Sequence, residues 1–134
     1  MDFLRWGRRE PCDNWIVSTF FHPLTLINET GTSETIDALV DTGSSFSTIS
    51  KNLLSSMGVR PFARVRLRLA NGQLNEAEVG EVVAKIDELA PRTIICVFGD
   101  DDGPQIIGAH TLEAFLLGVD PLGHRLLPVD GWRA

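Results

Sequence analysis

A chain of 134 residues, 43% of them hydrophobic, suits one domain at roughly 100–200 residues per domain, and it has enough apolar matter for a core without metal or disulfide staples. Twelve Lys and Arg against eighteen Asp and Glu give a formal net charge of −6, without the basic footprint of a nucleic-acid-binding domain. The apolar run from Ile16 to Ile27 is broken by His22 and Pro23 and is too short to span a bilayer. Neither nucleic acid nor a membrane is an expected partner.

Residues 1–13 are polar and Arg-rich and read as a tail; residues 14–134 read as a single domain with no internal boundary. Cys12 and Cys96 lie far apart with no motif around them, and the charged N-terminus has no apolar segment behind it. The expectation is a soluble protein in the reducing cytoplasm. Asn28-Glu29-Thr30 spells a glycosylation acceptor, but nothing in the chain points to secretion.

Trp15 to Ile27 is rich in β-branched and aromatic residues and predicts a strand, bent or at an edge because of Pro23. A turn cluster over Asn28–Ser33 leads to a second strand, Glu34–Val40. Ser50 is placed to cap a short helix over Lys51–Met57, with Gly58 just past its end. Phe62–Ala70 and Leu74–Ile86 predict a hairpin around Asn71-Gly72, a strong turn signal. Within it, Arg64, Arg66 and Arg68 alternate with Val65, Leu67 and Leu69, so one strand face is charged.

Thr93–Phe98 is a further apolar strand, followed by the acidic loop Gly99–Pro104. Ile106-Ile107 predicts a short strand, then Gly108 leads into a helix from about Ala109 to Leu116. Leu112, Phe115 and Leu116 suit a core-facing helical stripe. Leu117–Val119 and Arg125–Val129 suit a last hairpin around Asp120-Pro121-Leu122-Gly123. There is no βαβ rhythm, which favours a mainly β, closed fold with two short helices over a parallel sheet.

Three segments share a logic beyond local structure. Ala38-Leu39-Val40-Asp41-Thr42-Gly43-Ser44-Ser45 is an apolar strand ending in a carboxylate and a small polar turn. Ile106-Ile107-Gly108-Ala109-His110 lies 65 residues beyond Asp41, and the Asn71-Gly72 hairpin falls between the two. In that order and spacing the chain resembles the retropepsin-like (retroviral-type, clan AA) single-domain aspartic proteases over roughly residues 15 to 130.

The resemblance implies a closed acid-protease β-barrel and an aspartic-type endopeptidase. It implies that Asp41 is the catalytic carboxylate, with Thr42 and Gly43 completing the catalytic turn. Gly43 lets backbone N–H groups approach the carboxylate, and Thr42 is expected to bond across to a partner half. Ser44 is expected to donate to the outer carboxylate oxygen. Substrate contacts are expected from Ser44 and Ser45, and from the flap hairpin tip Ala70, Asn71, Gly72 and Gln73. The family chemistry needs two carboxylates sharing a proton, and this chain holds one such segment. A homodimer acting on a peptide or protein substrate is therefore implied, with Asp41 and its symmetry mate at the two-fold axis. Two departures stand out: the hairpin tip has one Gly, and the chain contains no Tyr at all. They motivate an alternative, a non-catalytic retropepsin-fold module for dimerisation or peptide binding.

Other chemistries fit worse. Ser44 or Ser45 with His22, His110 or His124 lacks the Gly-x-Ser-x-Gly elbow of a serine hydrolase. The cysteines and histidines lack zinc-site pairing, and Asp100-Asp101-Asp102-Gly103 lacks the alternation of a calcium loop. No cofactor and no metal are expected. Trp6, Trp15 and Trp132 lie near the chain ends and suit packing or an interface.

Overall fold

The period-two alternation becomes strand almost throughout the computed structural model, which describes residues 19–129. In chain order the elements are β1 (Phe20–Ile27), β2 (Ser33–Val40), β3 (Ser47–Ser50), α1 (Lys51–Ser56), β4 (Pro61–Arg68), β5 (Leu74–Lys85), β6 (Arg92–Gly99), β7 (Ile106–Ile107), α2 (Ala109–Ala114), β8 (Leu117–Asp120) and β9 (Arg125–Pro128). The class is mainly β with two short helices, as the pattern implied. The tail at residues 1–13, with Cys12 and Trp6, lies outside the described residues, as do Trp15 and Trp132.

Seven strands join in the order β1-β2-β7-β3-β6-β5-β4, and β1 also pairs with β5. Hydrogen bonding therefore runs in a ring from β1 round to β5 and back. The long strand β5 makes this possible by changing partners along its length. Its first half, from Leu74, pairs with β4; Val79 to Ala84 pair with β6; Val83 to Lys85 pair with β1. Among the described residues β4 has no strand partner other than β5. The β4–β5 hairpin thus extends beyond the ring.

Inward residues recur at every second position, as a half-buried strand requires. Leu24 and Leu26 on β1, Ala38 and Val40 on β2, Val82 and Ala84 on β5, and Ile94 and Cys96 on β6 all face the core. Leu54, Ile107, Leu112 and Phe115 close it from the helices and β7. Full burial of each Leu or Ile contributes about 1.5–3 kcal/mol, so this cluster supplies the main stabilising term. Pro23 is accommodated because β1 has a strand on one side only at that point; pairing with β5 begins at Thr25.

The β4 alternation is as expected: Arg64, Arg66 and Arg68 are exposed, while Val65 and Leu67 are half-buried. Glu78 and Glu76 stand directly opposite Arg64 and Arg66 on β5. The helix α1 begins at Ser50, whose Oγ accepts from the Leu53 N–H at 3.3 Å. Its end is followed by Gly58.

One element is unforeseen and one expectation fails. Ser47–Ser50 forms a strand that its polar spelling did not announce. The second helix stops at Ala114, so Leu116 is not part of a buried stripe. Leu116 has φ +58 and is 65% exposed, because the backbone must reverse there to enter β8. Leu112 and Phe115 are the large apolar side chains that anchor α2 in the core, beside the buried Thr111.

Candidate active site

Asp41 leaves the end of β2 and enters a four-residue turn closed by the Ser44 N–H donating to the Asp41 carbonyl at 3.1 Å. What holds this turn comes from far along the chain. The two-residue strand β7 lies between β2 and β3, parallel to the first and antiparallel to the second. Leu39 pairs with Ile106 and Val40 with Ile107, and the Asp41 N–H donates to the Ile107 carbonyl at 3.0 Å. Beyond β7 the chain turns under the Asp41 loop. The Ala109 N–H donates to the Ser44 carbonyl at 2.7 Å, and the His110 N–H to the Ser45 carbonyl at 3.0 Å.

Gly108 makes this approach possible. A Cβ there would collide with the Phe46 carbonyl and lie 2.8 Å from the Ser44 carbonyl oxygen. Backbone atoms of a packed sheet have little room to give, so only glycine fits. The apolar-apolar-Gly sequence therefore has a direct cause. The half-buried Ile106 and the fully buried Ile107 seat the strand, and the missing third side chain lets two backbones touch.

The Asp41 carboxylate is half-buried. Its Oδ1 accepts from the Gly43 N–H at 2.9 Å, and its Oδ2 faces Ser44 Oγ at the long distance of 3.4 Å. A Cβ on Gly43 would come within 3.2 Å of Oδ1. Thr42 and Ser45 are exposed, and the Thr42 hydroxyl has no partner among the described residues. In this chain no second carboxylate hydrogen-bonds to Asp41 among the described residues. The turn thus brings Asp41, Thr42, Gly43, Ser44 and Ser45 together on one short loop.

The hairpin tip is separate. Ala70, Asn71, Gly72 and Gln73 are all exposed, and their hydrogen bonds are local. The Gly72 N–H donates to the Leu69 carbonyl, the Leu69 N–H to the Gln73 carbonyl, and Asn71 Oδ1 accepts from the Gln73 N–H. The turn centres on Ala70-Asn71, with Gly72 at φ +87 as the left-handed residue that follows.

Between the body of the hairpin and the acidic loop lies a groove of about 920 Å³. Arg64, Leu67 and Glu78 form one wall, Asp100 and Asp102 the other, and Thr48 and Ile106 reach it from strands β3 and β7. Neither the hairpin tip nor Asp41 lines this groove.

Several contributors escaped the sequence. Ser47 and Thr111 are buried polar residues whose hydroxyls meet beneath the turn at 2.5 Å. The Gln105 carbonyl accepts from the Leu39 N–H, and its Oε1 from the Ser50 N–H at 3.0 Å. Asp101, read as part of an acidic surface turn, uses Oδ1 to accept from the Asn52 N–H at 2.9 Å and Ser50 Oγ at 2.8 Å. The backbone N–H of Asn52, then the Ser50 hydroxyl, hold its carboxyl below the usual carboxylate range.

The three histidines have structural settings. His22 Nε2 is 2.9 Å from Asp87 Oδ1, the His110 ring lies against Phe46, and the His124 ring stacks on Phe20. Burial pushes the Cys96 thiol up to about 12. Such a thiol is a packing group, not a nucleophile. No helix among the described residues is long and apolar enough to cross a membrane.

No curated protein matches the sequence. Among solved structures the chain is similar to a retropepsin-like aspartic protease from Rickettsia conorii, at 20% identity, TM-score 0.48, and coverage of 77% of this chain and 88% of that one. The family model described as aspartyl protease matches residues 25–120, from within β1 to the end of β8. That span contains the Asp41 turn, the hairpin and the β7–α2 segment, and the chain belongs to the aspartyl protease family.

Proposed function

We propose that the protein is an aspartic endopeptidase whose catalytic unit is a homodimer, with water activated between the two Asp41 carboxylates. The observation that carries this reading is the Asp41 turn itself. Its backbone is fixed from beneath by Ile107 and Ala109, while the carboxylate and the Thr42 hydroxyl remain open on the other side. A lone carboxylate cannot be base and acid at once. Since one such turn occurs per chain, a second copy is the economical source of the other carboxylate.

In the proposed cycle one Asp41 carboxylate takes a proton from the bound water as the water oxygen attacks the peptide carbonyl carbon. The other Asp41, protonated, gives its proton to the carbonyl oxygen. Collapse of the resulting diol breaks the C–N bond as the amine nitrogen receives a proton. Thr42 would bond across the two-fold axis, and Gly43 and Ser44 would orient the carboxylate oxygens. Ser45 and the hairpin residues Ala70, Asn71, Gly72 and Gln73 would contact an extended peptide. The catalytic domain of this proposal spans residues 14–134, closes as an acid-protease barrel, and works in the cytoplasm.

The test is cleavage of a peptide library from acid to neutral pH, with light scattering on the same sample. A dimer whose activity disappears in Asp41→Asn and is blocked by a statine-type inhibitor is expected. Undiminished cleavage by Asp41→Asn, or full activity in a stable monomer, would sink the reading. A second reading, a non-catalytic dimerisation or peptide-binding module, draws support from the hairpin tip. Its turn holds one glycine and carries a local bond from the Gln73 N–H to Asn71 Oδ1. A folded dimer that binds peptides and cleaves none would favour it.

A further inference from the structure

Two polar side chains sit in the apolar interior: Ser47 at 0% and Thr111 at 1% exposure. Their hydroxyl oxygens are 2.5 Å apart across 64 residues of sequence. Ser47 Oγ also accepts from the Gly108 N–H at 3.0 Å. That N–H belongs to the same peptide unit as the Ile107 carbonyl, which accepts the Asp41 N–H. One peptide plane is therefore gripped at its N–H by a side-chain pair and at its C=O by the backbone of Asp41.

Three features give this chain of bonds consequence. A buried hydroxyl left without a partner is unfavourable, so Ser47, Thr111 and the Gly108 amide are satisfied together or not at all. Donation from the N–H of a peptide polarises its carbonyl and strengthens the bond that the carbonyl accepts. The peptide also cannot be held by a bulkier contact, because Gly108 sits directly against the Ser44 and Phe46 carbonyls.

We propose that Ser47 and Thr111 are positioning residues for Asp41: their paired hydroxyls fix the 107–108 peptide plane and, through it, the height of the Asp41 backbone at the base of the catalytic turn. Neither side chain touches a reacting atom. The inference rests on the reading of Asp41 as the catalytic carboxylate. In a symmetric dimer any shift of the turn occurs twice, so a small displacement alters the separation of the two carboxylates from both sides.

Thr111→Val removes the hydroxyl and keeps the volume, whereas Thr111→Ser keeps the hydroxyl. The Val variant should lower kcat about tenfold with KM nearly unchanged, and the Ser variant should recover most of the loss. Ile86→Val, a trim in the same core away from this network, should lower Tm without moving kcat. Amide exchange provides a readout that needs no proteolysis. Thr111→Val should speed exchange of the Asp41 and Gly108 amides while leaving the β1–β2 amides protected. Ser47→Ala should reproduce both effects if the Val variant folds poorly.

An active enzyme whose kcat is unmoved by Thr111→Val would overturn the inference, as would a Ser variant damaged as much as the Val variant. If the parent chain cleaves no peptide, the proposed function fails, and exchange at Asp41 still decides: acceleration supports the positioning role, and no change removes it.

Discussion

The Asp41 turn and the Ala70–Gln73 hairpin tip are both short polar turns at strand ends, yet they are held in opposite ways. The Asp41 turn has its own Ser44–Asp41 bond, but it is also anchored by Ile107, Ala109 and His110, more than sixty residues away in the chain. The tip takes its bonds from Leu69, Asn71 and Gln73, all within itself. Long-range bonding ties the first turn to the global fold, so it opens only when the core does. Local bonding lets the second open on its own. Under the proposed function, a carboxylate that meets its mate within a hydrogen bond gains from the first kind of turn. Under the same proposal, a segment that admits a peptide suits the second.

The sharpest way to break this contrast is Gly108→Ala. The added Cβ meets carbonyl oxygens of Ser44 and Phe46, which cannot swing aside like a side-chain end. The expected loss is at the upper end of the overpacking range, about 3 kcal/mol, together with any peptidase activity. Chemical denaturation and peptide cleavage measure the two effects. A stable, active Gly108→Ala protein would mean that β7 does not hold the catalytic turn.

The same division explains what the sequence disclosed. Elements built on local signals were legible: the β1–β2 hairpin, α1 between Ser50 and Gly58, the charged face of β4, and the Asn-Gly hairpin. The Asp41 turn was legible because Asp-Thr-Gly and Ile-Ile-Gly are both dictated by close backbone contact. What stayed hidden depends on partners brought in from elsewhere. Ser47–Ser50 is a strand because β6 and β7 flank it, not because Ser-Thr-Ile-Ser favours one. Leu116 kept helical spacing, but the chain's return into β8 ended the helix first. Nothing in a single sequence ties Thr111 to Ser47, or Asp101 to a helix that starts fifty residues earlier.

Gly72→Ala tests the local side of the contrast at smaller scale. Its Cβ would meet nothing within 4 Å, so the whole effect comes from the φ of +87. A side chain in that region costs about 1 kcal/mol, and the cost should appear in hairpin opening more than in global unfolding. Amide exchange should accelerate at Leu69 and Gln73 while Asp41 is unaffected. If the tip contacts substrate, KM should rise with kcat held. A global loss as large as that of Gly108→Ala would erase the distinction between the two turns.

The smallest expected effect lies at Asp101, where one exposed side chain joins the two regimes. The loop from β6 to β7 meets the ring through Gln105, and Asp101 ties it also to the start of α1, just after β3. The Asn52 N–H and the Ser50 hydroxyl favour the ionised carboxylate, so the folded-state pKa lies below the unfolded one. Its contribution to stability is therefore present above the ordinary Asp pKa and is lost as pH falls through the depressed folded value. Asp101→Ala should lower Tm modestly at neutral pH, and the gap from the parent should narrow on acidification as the parent's carboxylate is protonated. Thermal melts of both proteins from neutral to strongly acid pH supply the measurement. A gap that holds constant down that series would show that the carboxylate does not act as a charged cap. The loop would then be held by Gln105, whose carbonyl and Oε1 accept from the Leu39 and Ser50 N–H groups.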